Sequence, residues 1–468
     1  MMDPHVIILG AGVSGLSLGW RLAASGIPVD LLEASSSVGG LAGTVRENGY
    51  CLDFGPHSFF TEDPEILETV LDLFDHPLKS KTRQVKFYFK EKYLDYPLTA
   101  HSVIFQMGPL SGIQALFSFL KGKLKPRRTS KGPESVEDWA VENFGEHLYR
   151  TFFKPYTEQF WKIPCSELSS RSIPTHTRLS FTNTLRYLVN HRGGRNNLSL
   201  IERERLTTYY PETGYGEIPE RLAAKVREGG GKIHLLSRVH QVSRLPDGRM
   251  EVHYTQGGDE KEIEGSYVVS TIPLNLLIKM LSPTPPPEVS ASAEKLDYRP
   301  LLVLGMVTER QNILSASYVY MLDRPYNRIT ELNKFSEATS PPGDNVIAVE
   351  IPCLRGDAVW NASKEELFEL CIESLTKDGF LSCGEVKNLL LVKSSYVYPI
   401  YRKGYEEHLK RVLAYIDMSP RLAVLGRTSE FMYMDADKCM RRAFDLADRL
   451  KEKLYCEGVK KREVKVLC

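Results

Sequence analysis

His5-Val6-Ile7-Ile8-Leu9-Gly10-Ala11-Gly12-Val13-Ser14-Gly15 is the stretch on which the fold turns. The run His5 to Leu9 is apolar throughout its length and suits a central strand of a parallel sheet, buried on both faces. Gly10, Gly12 and Gly15 follow in G-x-G-x-x-G spacing. Ser14 to Ser25 then continues with Leu16, Leu18, Leu22 and Ala23 at helical intervals. A second apolar run, Val29 to Leu32, ends on Glu33. Strand, tight turn, helix and strand in about thirty residues make a dinucleotide-binding unit. Gly10 permits the turn, Gly12 lets backbone N–H groups approach a pyrophosphate, and Gly15 allows close packing of helix on strand. Glu33 stands where an acceptor for ribose hydroxyls is needed, which disfavours a 2′-phosphorylated cofactor. The bland alternative is a glycine-rich turn in an unrelated α/β fold.

Outward from this unit, a glycine-rich loop occupies 39–43, helical residues 64–74, and a hairpin pairs Val85–Phe89 with Tyr93–Tyr96. Residues 102–200 read as mainly helical, broken by a polar loop at 122–134 and a Gly-Gly-Arg-Asn-Asn stretch at 193. Gly214 to Gly231 predicts a helix leading into the strand Lys232–Leu236. Strands follow at Val239–Arg244, Arg249–Tyr254 and Tyr267–Thr271. Beyond the proline-rich 283–287 come strands around 301–307, 315–321 and 345–351, the helix Lys364–Thr376 and the strand Val386–Ser394. The strand Leu422–Leu425 and the helix Asp435–Leu454 close the chain. Dinucleotide-type elements at its beginning, middle and end imply a discontinuous cofactor domain.

The totals exclude more than they select. A chain of 468 residues with 42% apolar and 25% charged residues is ordinary globular composition. Sixty basic against fifty-nine acidic residues leave a formal charge of +1, which gives no drive toward nucleic acid, so any anion site is local. Cysteines 51, 165, 353, 371, 383, 439, 456 and 468 show no C-x-x-C pair and no zinc spacing, so no metal is expected. They read as reduced thiols of a cytoplasmic protein. Met-Met-Asp-Pro-His leads directly into the first strand, without the pattern of an export signal. Ser102 to Leu120 is largely apolar, interrupted by Gln106, Gly108, Pro109 and Gly112, and followed by the basic run Lys121–Arg128. It reads as a buried helix pair with a solvated loop or, alternatively, as a peripheral membrane contact near 102–128.

Val38-Gly39-Gly40-Leu41-Ala42-Gly43-Thr44 brings a second glycine pair, and resembles the extended fingerprint of the FAD family of amine oxidases, protoporphyrinogen oxidases, phytoene desaturases and UDP-galactopyranose mutases. Arg238-Val239-His240-Gln241-Val242 is similar to that family's adenine-side strand, with the Val239 backbone as contact. Ser270-Thr271-Ile272-Pro273 is similar to the return that follows. A core strand explains both equally well. Five further segments resemble the mutase branch, in its order. They are Asp53-Phe54-Gly55-Pro56-His57-Ser58-Phe59-Phe60-Thr61, Phe87–Tyr93 with Tyr96-Pro97-Leu98, Pro155-Tyr156-Thr157-Glu158-Gln159-Phe160-Trp161, Arg171 with Ile173–Arg178, and Gly426-Arg427 through Tyr433-Met434-Asp435-Ala436-Asp437. Departures are Phe431 where the mutases usually have tyrosine, Lys162 for a common glycine, and Leu41-Ala42-Gly43 for a more polar sequence.

The resemblance implies an α/β protein. Its discontinuous Rossmann-like FAD-binding domain would comprise 1–80, 212–282 and 412–456, with a helical domain at 98–200 and an antiparallel-sheet substrate region at 83–97 and 298–400. It implies noncovalent FAD on Gly10, Gly12, Ser14, Gly15, Glu33, Gly39, Gly40, Leu41, Gly55, His57, Val239, Gly426, Tyr433 and Asp435. His57, Arg178 and Arg427 would be catalytic, and Tyr156, Trp161, Arg178, Arg427 and Tyr433 would bind a UDP-sugar. Reduced flavin N5 would act on the sugar, with an external reductant such as NAD(P)H as donor. The other reading of the same residues is an FAD-dependent oxidoreductase removing hydride from an apolar or amine substrate. Each residue also has a structural explanation: His57 as a satisfied core group, Tyr156 and Trp161 as core aromatics, Arg178 and Arg427 as surface charges. Helix capping accounts for one of Asp435 and Asp437.

Overall fold

The computed structural model describes residues 4–82, 84–89, 91–95, 114, 117–120, 133–173 and 207–466, with side chains apart from 94, 95 and those beyond 455. A five-stranded, wholly parallel sheet has the order Leu422–Val424, Tyr267–Ser270, Val6–Leu9, Val29–Leu32, Lys232–His234. Its strands come from the beginning, middle and end of the chain. The three central strands are buried along their length, as their apolar sequences require when helices cover both faces. Asp30 is the exception: it is held at a sheet end by His5 Nε2 at 2.7 Å and His234 Nε2 at 2.5 Å.

Helix Val13–Ala23 runs between Glu217–Glu228 and the long C-terminal helix Ala436–Val466 on one face of this sheet. Glu217–Glu228 has acid in its first turn, Lys225 and Arg227 in its last, and Gly229 at its end. It buries Ile218, Leu222, Ala223 and Val226. Ile218, Leu222 and Val226 each contribute about 1.5–3 kcal/mol when taken from water.

A seven-stranded sheet has the order Asn388–Pro399, Tyr298–Thr308, Asn345–Glu350, Arg328–Glu331, Tyr318–Met321, Val85–Phe89, Lys92–Asp95. Tyr298–Thr308 is buried at all eleven positions. Its alternate residues enter two cores: Leu302, Leu304 and Met306 meet Leu367, Cys371 and Leu375 of helix Lys364–Lys377, while Leu301, Val303 and Val307 meet Leu52, Val346 and Leu390. The helix is closed by a capping box, with Ser363 Oγ accepting from Glu366 N and Glu366 Oε2 accepting from Ser363 N. The expected antiparallel sheet is in fact mixed, because Val85–Phe89 pairs in parallel with Tyr318–Met321. That pairing joins segments more than two hundred residues apart, so no turn marks it. A smaller sheet, Asp259–Gly265, Met250–Gln256, Ser237–Arg244 and Leu281–Ser282, flanks the parallel one. Among the described residues no helix is long and apolar enough to cross a membrane, and most of 102–128 lies outside them.

Candidate functional site

Three glycines of the opening turn are glycine for three reasons. Gly10 has φ +99°, and a Cβ there would lie 2.5 Å from Thr271 Oγ1. A Cβ on Gly15 would sit 2.1 Å from Gly10 O, so helix and turn touch directly. Gly12 has ordinary extended geometry, with φ −77° and ψ −179°, and its Cβ would meet nothing nearer than Gly39 O at 3.9 Å. The protein's own atoms do not require glycine at 12, whereas a pyrophosphate against the backbone does. Helix Val13–Ala23 opens there with no side-chain cap and no acid in its first turn, leaving its N–H groups and positive end for an anion. Gly39 donates to Ala11 O at 2.8 Å, and Gly39 and Gly40 have φ +111° and +53°, so the second glycine pair lies on the first.

Glu33 accepts from Ala11 N and Ser35 N, each at 2.8 Å, leaving lone-pair capacity for hydroxyl donors. Ser237 N donates to Glu33 O at 2.8 Å, bringing the strand of Val239 alongside. Pairing of that strand slips between Val239 and Gln241, a bulge of the kind that frees backbone groups for a ligand. Gly426, φ +90°, seals the far side: a Cβ there would lie 2.3 Å from Ser14 Oγ. Asp435 is exposed immediately before helix Ala436–Val466.

His57 marks where this cradle meets the seven-stranded sheet. Its ring stacks on Tyr215 at 5.0 Å and 23°. Tyr215 N donates to Asp53 at 3.2 Å, and Asp53 also accepts from Tyr210 at 2.7 Å and Thr44 at 2.5 Å. Burial pushes the Asp53 carboxyl up to about 6, against the pull of its hydrogen bonds. Burial likewise pulls the His57 imidazole down to about 3, reinforced by Arg427 and Arg328. His57 is therefore neutral at neutral pH, and its Nδ1 is enclosed without a partner.

The expected cleft arginine Arg427 lies 4.4 Å from the Tyr433 ring centroid and 5.3 Å from that of Tyr398, with Nε enclosed and unpartnered. Two orphaned nitrogens at one place mark a ligand position rather than a finished core. Tyr156 stands edge-on to Phe87 and Tyr320, and Trp161 edge-on to Tyr398 at 6.4 Å. Both lie on helix Lys154–Trp161, which buries none of its residues fully. Leu41, like Phe54 and Tyr398, packs against the core that includes Leu52, Leu301 and Val303, joining the glycine loop to the sheet. Arg178 lies outside the described residues.

Sequence reasoning missed Arg328. Its Nε donates to Glu350 Oε1 at 2.5 Å, and a Cβ on Gly55 would be 3.1 Å from that oxygen. The pair therefore lies against the His57 segment, with Arg328 also 5.5 Å from the Tyr320 ring. A charge within the short strand Arg328–Glu331 was the available signal. The two departures near the cleft have structural consequences. Phe431 is fully buried against Tyr298 and Tyr401 at φ +50°, and Lys162 ends its helix at φ +55°, a left-handed conformation that favours glycine.

A family model, flavin containing amine oxidoreductase, matches residues 13–404. A probable UDP-galactopyranose mutase of Klebsiella pneumoniae is 20% identical over 451 residues, 96% of this chain and 95% of that protein. The dTDP-fucopyranose mutase of Escherichia coli is 26% identical over 35% of this chain and 43% of its own length. Protoporphyrinogen oxidase 1 of Arabidopsis thaliana is 25% identical over 66% of this chain and 59% of its own. Among solved structures, reduced UDP-galactopyranose mutase superposes with TM-score 0.80 at 19% identity over 97% of this chain and 94% of that one. A putative protoporphyrinogen oxidase from Exiguobacterium superposes with TM-score 0.73 at 16% identity over 97% and 100%. These superpositions carry the α/β fold and no more. The family match, which runs from the helix after the glycine turn through the His57 segment and the seven-stranded sheet, makes the chain a flavoenzyme that belongs to the flavin-containing amine oxidoreductases.

Proposed function

We propose that the chain is an FAD-dependent enzyme resembling UDP-galactopyranose mutase, acting on a nucleotide-linked sugar. The observation that carries this is Arg427, its Nε enclosed and unpartnered, beside a neutral His57 on which the Glu350-paired Arg328 also acts, an arrangement suited to a diphosphate. Segments 1–80, 212–282 and 412–456 form the FAD part in this reading, with Gly10, Gly12, Ser14 and Gly15 on the pyrophosphate, Glu33 on the ribose and Val239 near the adenine. Gly39, Gly40, Leu41, Gly55, His57, Gly426, Tyr433 and Asp435 would hold the rest of the cofactor. Reduced flavin, when bound, supplies the nucleophile N5 for the anomeric carbon, and an external reductant such as NAD(P)H would load it.

The chain's own residues neutralise, orient and exclude. Arg427, with Arg178 and Arg328, offsets charge on the leaving diphosphate, and Tyr433 and Trp161 wall the nucleotide site. Tyr156 closes the helix side. His57, held neutral and stacked on Tyr215, offers a hydrogen-bonding nitrogen to the cofactor without adding a charge beside it.

Anaerobic reduction with dithionite in the presence of a panel of UDP-sugars tests the reading: an isomerised sugar nucleotide, with no net oxidation, is the expected product. Acid precipitation should release FAD into the supernatant, since the sequence offers no attachment motif. The aromatic lining from Tyr156, Tyr320, Tyr398 and Tyr433 favours a second reading, hydride removal from an apolar or amine substrate. That reading is selected if UDP-sugars fail and such a substrate bleaches the oxidised flavin.

A further inference from the structure

Arg299 heads the fully buried side chains among the described residues, with no solvent exposure at all. It sits in Tyr298–Thr308, opposite Tyr398 of the neighbouring strand, among otherwise apolar positions. Its Nε and both terminal nitrogens have no hydrogen-bond partner. The guanidinium lies 4.0 Å from the Phe160 ring centroid and 5.6 Å from that of Tyr398. Glu350, the carboxylate that acts on it through space, gives Oε1 to Arg328 and hydrogen-bonds to Arg299 through neither oxygen, its Oε2 being enclosed without a partner. Burial pushes Arg299 below the usual arginine range, yet a guanidinium stays charged there.

A full charge with five N–H donors and no acceptor opposes folding, and two aromatic faces return only part of that cost. An apolar side chain of similar length would serve the fold better. Tyr398 carries the connection onward: Arg427 lies on it at 5.3 Å and Tyr433 stacks with it at 6.2 Å and 11°. Phe160, Arg299, Tyr398, Arg427 and Tyr433 thus form a ladder from the core to the cleft.

We propose that Arg299 is a positioning residue for a polyanionic substrate group: a cation without a hydrogen-bond partner behind Tyr398 that raises the positive potential around Arg427 and fixes the ring on which Arg427 lies. This rests on the reading that the cleft takes a diphosphate, though any polyanion of that size would show it.

The test compares wild type, Arg299→Met and Arg299→Lys as FAD-loaded proteins, with UDP, inorganic pyrophosphate and uncharged uridine as probes. Arg299→Met should keep or raise the thermal midpoint and retain FAD, while both anions bind about tenfold more weakly and uridine is unaffected. Arg299→Lys should recover part of the anion affinity. A lowered midpoint with unchanged anion affinity would make Arg299 a packing residue and overturn the proposal. If Arg299→Met loses both stability and affinity, recovery of affinity by lysine upholds it and failure to recover overturns it. Wild type that binds neither anion in either flavin state also overturns it. Pyrophosphate binding without UDP binding removes the nucleotide-sugar reading and leaves the role of Arg299 standing. UDP binding that Arg299→Met leaves intact does the reverse.

Discussion

The glycine cradle and the arginine cleft are adjacent in the fold and were built in opposite ways. The cradle is local: Gly10, Gly12, Gly15 and Glu33 lie within one strand–helix–strand unit, where the requirements on the glycines are backbone requirements and the Glu33 carboxylate accepts from the backbone of the same unit. The cleft is collected from remote segments, with His57, Phe160, Arg328, Tyr398 and Arg427 converging from five different elements and loops. Backbone demands leave a spacing in sequence, whereas convergent side chains leave none.

The largest effect that would sharpen this contrast is at Gly12. Gly12→Val should abolish FAD retention while keeping nearly the thermal midpoint of wild-type apoprotein, because a Cβ at 12 meets nothing nearer than Gly39 O at 3.9 Å. Gly15→Val should lose cofactor and fold together, given a Cβ 2.1 Å from Gly10 O. Full flavin occupancy in purified Gly12→Val would break the assignment of the cradle.

Titration separates the two regions next. Asp53 has its folded pKa near 6, above the 3.8 of an ordinary aspartate, so its contribution to stability is complete below pH 4 and is lost as pH rises through 6. Two units correspond to about 3 kcal/mol. Urea unfolding from pH 4 to 7 should show wild type losing about that much stability relative to Asp53→Asn. His57 has the opposite sign: with its folded pKa near 3 against 6.5, its contribution is present above pH 6.5 and falls away as pH drops toward 3. His57→Gln should therefore flatten the acid side. Identical pH profiles for wild type and both variants would contradict the burial of these groups.

A smaller effect belongs to Glu33. Glu33→Ala removes the acceptor of two backbone N–H groups and, in the proposed site, of the ribose hydroxyls, so FAD should bind more weakly by about 2 kcal/mol in a fluorescence titration. Unchanged affinity would reduce Glu33 to a turn-closing residue.

The same division governs what could be read in advance. Val6–Leu9, Val29–Leu32, Tyr267–Ser270 and Leu422–Val424 were legible because strands of a covered parallel sheet are apolar nearly throughout, Asp30 and Ser270 apart. Asp259–Gly265 was not: as an edge strand its Asp-Glu-Lys-Glu-Ile-Glu-Gly is exposed nearly throughout and reads as loop. Helix Tyr405–Asp417 escaped because it buries only Tyr405, Val412 and Ile416. The parallel pairing of Val85–Phe89, and with it the mixed sheet, depends on register across the chain. Arg427 was found through its motif, and Arg328 and Arg299 were missed. An arginine inside Tyr-Arg-Pro-Leu-Leu-Val-Leu was nevertheless a legible anomaly, since a charge in a core strand needs a reason.

The central claim is that the cleft beside the flavin receives a diphosphate through its arginines. A UDP titration followed by flavin or tryptophan fluorescence, in both flavin redox states, tests it most directly. The account predicts saturable binding to wild type, weakened about ten- to a hundredfold in Arg427→Ala and in Arg328→Ala with FAD content unchanged, and only partly restored by lysine. Absent binding to wild type in both redox states, or alanine variants that bind UDP as wild type does, would contradict it.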